Sequence, residues 1–298
     1  MPRLPGPLLI ALATVLWGTT GTSQELAPEA ATPLTIGALR ILIAAVTLLA
    51  IASVAGRLRG LRGMRRPATL IAALGVAAYQ PFFFLAVDRT GVILGTIVTI
   101  GSAPVFAGLL AWALDRKPPS RLWTAATVGA IAGVALLVAA GRDIGVDAGG
   151  ISFALVAGAA YATYVIAARQ FARDGNIIGS TAIIFAIAAV LLLPLLGTSE
   201  LGWVSTSRGA IAVFYLGVLA TAVAYLLFAS GLSTTRSTTA TTLTLGEPMT
   251  AALLGVVAVG ERPPLLGWAG FALILVALIA VAGEGRSNRF FGPRSSAA

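Results

Sequence analysis

Cysteine and histidine are both absent from the 298-residue sequence. That excludes disulfides, thiolate nucleophiles, imidazole bases and most zinc or haem sites. Charge is scarce too: Asp, Glu, Lys and Arg make up 10% of the chain, against about a quarter in ordinary soluble domains. No glycine-rich loop with a lysine is present to cradle a nucleotide phosphate. No polar segment is long enough to fold as a soluble domain, so an ATPase module is excluded. Neither a cofactor, a metal nor a catalytic activity is expected, and any solute movement must draw on a gradient or run downhill.

What the chain has in abundance is apolar length, with 58% hydrophobic residues. A bilayer core of roughly 30 Å takes about 20 helical residues to cross. Ten stretches meet that measure, at 7–26, 34–55, 67–87, 91–114, 122–140, 149–168, 177–196, 209–231, 237–259 and 264–283. A β-barrel would show short alternating segments rather than continuous runs of Ala, Leu, Val, Ile and Gly. The expected fold is therefore all-α, a polytopic membrane protein of ten transmembrane helices. The first stretch is kept as a helix rather than a signal peptide, because it is longer than a usual signal core and no clean small-residue cleavage site follows it.

The net charge of +9 follows the loops. With a cytoplasmic N-terminus, fifteen cations fall inside, among them Arg3, Arg57, Arg59, Arg62, Arg65, Arg66, Lys117, Arg169, Arg236 and Arg294. Four fall outside, namely Arg89, Arg142, Arg208 and Arg262. This bias predicts an inner-membrane protein with both termini in the cytoplasm. A basic cluster beside a membrane sets topology or touches anionic lipid, so nucleic acid is not an expected partner of Arg57–Arg66.

The chain also repeats itself at an offset near 145 residues. Thr90, Thr96, Thr99 and Gly101 align with Thr235, Thr241, Thr244 and Gly246. Pro104 follows over Pro248, Asp115-Arg116 over Glu261-Arg262, Pro118-Pro119 over Pro263-Pro264, and Trp123 over Trp268. Trp17-Gly18-Thr19-Thr20 lies over Tyr161-Ala162-Thr163-Tyr164, and Phe83 over Phe228. The division reads as 1–144 for the first half, 145–286 for the second, and 287–298 as a cytoplasmic tail expected to be disordered. Five spans per half is an odd number, so the second half should enter the membrane inverted, as in secondary transporters.

Leu16-Trp17-Gly18, Arg40, the Thr96–Pro104 stretch, Gly246-Glu247-Pro248 and Gly260-Glu261-Arg262 together resemble the EamA-type permeases of the drug/metabolite transporter superfamily. The resemblance covers nearly the whole chain. It implies two inverted five-helix repeats around a central cavity, and export of small metabolites, with amino-acid exporters of the YddG type as one group. The first half departs from symmetry, carrying Ser102-Ala103 where the second has Glu247.

Two ionisable residues sit well inside spans, where charge is costly and marks function by default. Glu247 reads as a proton carrier or a partner for a substrate ammonium, or as a structural carboxyl beside Pro248. Arg40 reads as a clamp for a substrate carboxylate, or as a structural cation that caps helix ends or pairs with Glu247. Trp17 and Tyr161 lie near mid-membrane at repeat-related positions, unlike Trp123, Trp203 and Trp268, which read as interfacial. Tyr79, Gln80, Phe83, Tyr164 and Tyr225, with Thr20 and Ser102, complete the candidate substrate site, a cavity with aromatic walls and few charges. Pro81, Pro104 and Pro248 interrupt helices and are candidate gating hinges. The expected function is export of neutral or aromatic amino acids by alternating access. Efflux of flat organic cations and a non-transporting structural role are the alternatives. A small-molecule substrate and membrane lipid are the expected partners, and a monomer is expected.

Overall fold

The computed structural model describes residues 4–20, 23, 27–58, 66–116, 118–139, 147–173, 176–197, 199–254, 256–257 and 264–290. Arg3, Arg59, Arg62, Arg65, Lys117, Arg142, Gly260, Glu261, Arg262, Pro263 and Arg294 lie outside the described residues, as do 291–298 of the tail. The described regular structure is helical throughout: α1 Gly6–Gly18, α2 Pro33–Val54, α3 Arg66–Asp115, α4 Arg121–Ala139, α5 Ala148–Arg173, α6 Ile177–Gly197, α7 Ser207–Leu232, α8 Ser237–Leu243, α9 Gly246–Leu254 and α10 Leu265–Phe290. Helices begin where side-chain acceptors meet free N–H groups. Thr32 accepts from Thr35 N–H at 3.2 Å, Asp147 from Gly150 at 2.6 Å, Asn176 from Gly179 at 3.2 Å and Thr206 from Gly209 at 3.1 Å. Just past the end of α2, Gly56 has a φ of +66°, which favours a residue without Cβ.

Among the described residues, seven segments are long and apolar enough to cross a bilayer: α2, Pro67–Thr90, Val98–Asp115, Ala148–Ala172, α6, α7 and Leu265–Gly283. α1 and Arg121–Leu136 are apolar but shorter. Large apolar side chains face outward all around, such as Val46, Leu109, Val128, Val190 and Val276, which a water-soluble exterior would not tolerate in such number. The protein spans a membrane several times.

Three departures from the expected spans have physical causes. The first span is interrupted at Thr19, whose N–H and hydroxyl both return to Leu16 O. The third and fourth spans form one continuous helical trace, α3, that folds back on itself. A Cβ on Gly95 would lie 3.0 Å from Val87 N, although eight residues of straight helix cover about 12 Å. The ninth span breaks into α8 and α9, because Pro248 has no N–H for Thr244 O. Glu247 N–H takes that carbonyl instead, at 3.0 Å.

Packing repeats between the halves. α1 lies on α7 and α9, and α5 lies in the same way on the two arms of α3, while α2 packs on α6 and α4 on α10. Gly6 meets Gly231 O, Gly75 meets Ala160 O, and Gly133 meets Gly270 O, close approaches that a side chain would block. One large core joins α1, α2, α3, α5, α6, α7 and α8, and a second core holds α4 against α10. α7 carries a rare feature: Tyr215–Val223 is π-helical, a bonding pattern that recurs at functional sites. It seats Gly217 against Ile43 and the Arg40 carbonyl.

The three tryptophans read as interfacial divide. Trp268 is 47% exposed, but Trp123 and Trp203 are only 7% and 5% exposed. Gly108 and Gly209 make room for those two indoles inside the protein.

Candidate functional site

The rings converge where the two halves meet. Trp17 from α1 and Tyr161 from α5 stand edge to face, centroids 6.3 Å apart. Tyr225 and Phe228 from α7 lie 5.0 and 5.4 Å from Trp17. Tyr164 is 5.6 Å from Tyr225, and Phe185 of α6 closes behind it at 4.7 Å. Tyr79 of α3 reaches Tyr161 at 6.0 Å and stacks on Phe83 at 5.4 Å. Five helices from both halves thus supply one contiguous aromatic wall.

Polar groups meet this wall without being satisfied by it. Arg40 of α2 donates to Gln80 Oε1 at 3.1 Å. Arg40 Nε, Gln80 Nε2, the Tyr161 hydroxyl and the Thr20 hydroxyl are buried with no partner among the described residues. Each such orphan costs about 1–3 kcal/mol, and native proteins tolerate few. Their concentration marks a place where a polar ligand would be welcome. Glu247 opens α9, where a negative charge suits the helix end. Its side chain is half-buried. Its charge acts on Tyr79, Tyr161 and Tyr225, and Arg40 acts on it in turn. Among the described residues the two form no hydrogen-bonded pair, since the guanidinium is turned to Gln80.

The structure therefore brings together Trp17, Tyr79, Gln80, Phe83, Tyr161, Tyr164 and Tyr225, with Arg40 and Glu247 in electrostatic reach. Ser102 lies apart: its hydroxyl returns to Thr99 O at 3.1 Å and presses on Gly158. Thr20 sits just beyond the break at Thr19. Pro81 follows Gln80 inside α3, Pro104 is buried in the returning arm of α3, and Pro248 is the third residue of α9. Sequence reasoning missed Phe185 and Phe228 as wall residues. It also missed the 2.7 Å hydrogen bond shared by Thr19 and Tyr215, which ties α1 to α7. No group of three acidic or other metal-binding side chains gathers among the described residues.

A two-repeat helical membrane protein with a polar, aromatic centre and both charge signs beside it is the architecture of a solute transporter. The chain belongs to the EamA-like transporter family, which matches residues 4–139 and again 148–283, and so to the drug/metabolite transporter superfamily. It is 40% identical to the uncharacterized transporter YwfM of Bacillus subtilis, over 95% of each chain. It is 29% identical to the threonine/homoserine exporter RhtA of Escherichia coli K12, over 85% of this chain and 82% of that one. A crystal structure of a protein 22% identical in sequence shares the fold, with a TM-score of 0.79 and coverage of 96% of this chain and 99% of the other.

Proposed function

We propose that the protein is a secondary transporter that exports small metabolites, amino acids foremost, by alternating access. The observation that carries this reading is the pair Arg40 and Glu247, one from each half, set beside rings and orphaned polar atoms and not bonded to each other. A zwitterion supplies what each lacks. Its carboxylate meets the guanidinium, its ammonium meets Glu247 or a ring face, and its side chain lies on the aromatic wall. RhtA, whose name specifies threonine and homoserine, supports the substrate class. Ten spans in two inverted repeats make inward- and outward-open states similar in energy. The bias of the loop arginines supports cytoplasmic termini in an inner-membrane protein.

Counterflow in proteoliposomes with labelled Thr, Phe and Met, beside methyl viologen, tests the reading. Exchange of amino acids is the expected result. Exchange of the dication alone would replace it with organic-cation efflux, in which Glu247 and the rings serve a flat cation.

A further inference from the structure

A cavity of about 410 Å³ opens beside Arg169 and Arg236 and shares no residue with the aromatic wall. Its volume falls within the range of about 300–1,000 Å³ usual for small-molecule sites. The first half contributes Asp115 and Trp123, the second Arg169, Arg236, Ser237 and Thr239. Ser237 and Thr239 are only 6% and 3% exposed, so two largely buried hydroxyl residues line a space that a solute can reach. The Trp123 indole N–H is buried with no partner among the described residues. The exposed Arg236 guanidinium beside two hydroxyls can bind an anion, while Asp115 on the same wall opposes a dianion and suits a cationic group on the ligand.

We propose that this cleft is a second ligand site, which holds a small zwitterion by its carboxylate at Arg236 and by its ammonium at Asp115. A ligand there touches both halves and favours the arrangement in which this cleft is formed. The choice of an amino acid as probe rests on the transport reading above, but the binding is measured without transport.

The test is equilibrium binding of labelled L-threonine to the full chain in nanodiscs, in a Glu247→Gln background that disables the central pair. Arg236 is exposed, so Arg236→Gln should fold and weaken binding by about tenfold, the loss of one charge-assisted contact. Asp115→Asn should weaken threonine but leave L-lactate, which has no ammonium, unchanged as a competitor. Thr239→Val removes a hydroxyl at constant volume and should weaken binding by about threefold. No threonine binding in this background, or binding indifferent to Arg236 and Asp115, overturns the proposal. So does inorganic phosphate competing better than lactate in an Arg236-dependent way, which would make the cleft a phosphate or lipid-headgroup site. Wild-type counterflow separates the two readings: transport without cleft binding sinks this inference alone, and cleft binding without transport sinks the transport proposal alone.

Discussion

The segments around Pro104 and Pro248 hold equivalent places in the two halves and behave differently. α3 runs through Pro104 unbroken, whereas the chain stops at Leu243 and restarts at Gly246 ahead of Pro248. In the first half, Ser102 packs on Gly158 and returns its hydroxyl to its own helix. In the second half, Gly246 lies against Thr14 and the next residue is Glu247. Both contacts use one small residue and one hydroxyl residue, with the roles exchanged, so the scaffold stays symmetric. The chemistry does not: the second half alone combines the helix break with a carboxylate. Packing is thus kept between the halves at these two positions, and the carboxylate is placed once, in the second half.

The largest expected effect is at Arg40. Arg40→Met strips Gln80 Oε1 of its donor and Glu247 of its neighbouring cation, at about 1–3 kcal/mol for the orphaned acceptor alone. The double variant Arg40→Met, Glu247→Gln should melt higher than Arg40→Met, with a coupling of about 0.5 kcal/mol or more. Simple additivity in thermal unfolding would show that the two residues act independently. Next is the glycine pair. A Cβ at Gly158 would collide with Ser102 Oγ and lie 2.8 Å from Thr99 O, so Gly158→Ala should lower stability by about 1–3 kcal/mol. At Gly246 the nearest atom is the flexible Leu278 Cδ1 at 3.3 Å, and Gly246→Ala should cost less. Equal costs would remove the packing asymmetry. The smallest effects are at the prolines. Pro248→Ala lets the helix continue and should slow transport by about threefold or more without lowering the melting temperature, while Pro104→Ala, in a helix already continuous, should change it by less than about twofold.

Much of this was legible in the sequence, because bilayer crossing demands long apolar runs and an internal repeat survives as ordered Gly, Pro and Trp spacings. Trp17 and Tyr161 were found from their repeat relation, and the structure sets them 6.3 Å apart. Other features left no such mark. The π-segment Tyr215–Val223 contains no proline, and its stabilising bond from the Thr221 hydroxyl to Leu216 O spans an ordinary apolar run. Phe185 and Phe228 look like any core phenylalanine until packing turns them to Tyr225 and Trp17. Trp123 and Trp203 sit at span ends, and only the glycines opposite them, distant in sequence or across a turn, make them buried. The break before Pro248 follows from proline's missing N–H, but the unbroken helix at its counterpart Pro104 depends on neighbours that sequence spacing does not specify.

The most direct measurement is the initial rate of labelled threonine counterflow, across pH, for Glu247→Gln beside Ser102→Ala, with melting temperatures taken on the same preparations. Placing the charge chemistry in the second half predicts that Glu247→Gln folds normally and loses about tenfold or more in rate, equivalent to about 1.4 kcal/mol, together with its pH dependence. Ser102→Ala should keep the parental rate and profile. A Glu247→Gln protein that transports at the parental rate with the parental pH profile, or a Ser102→Ala protein equally impaired, would contradict the account.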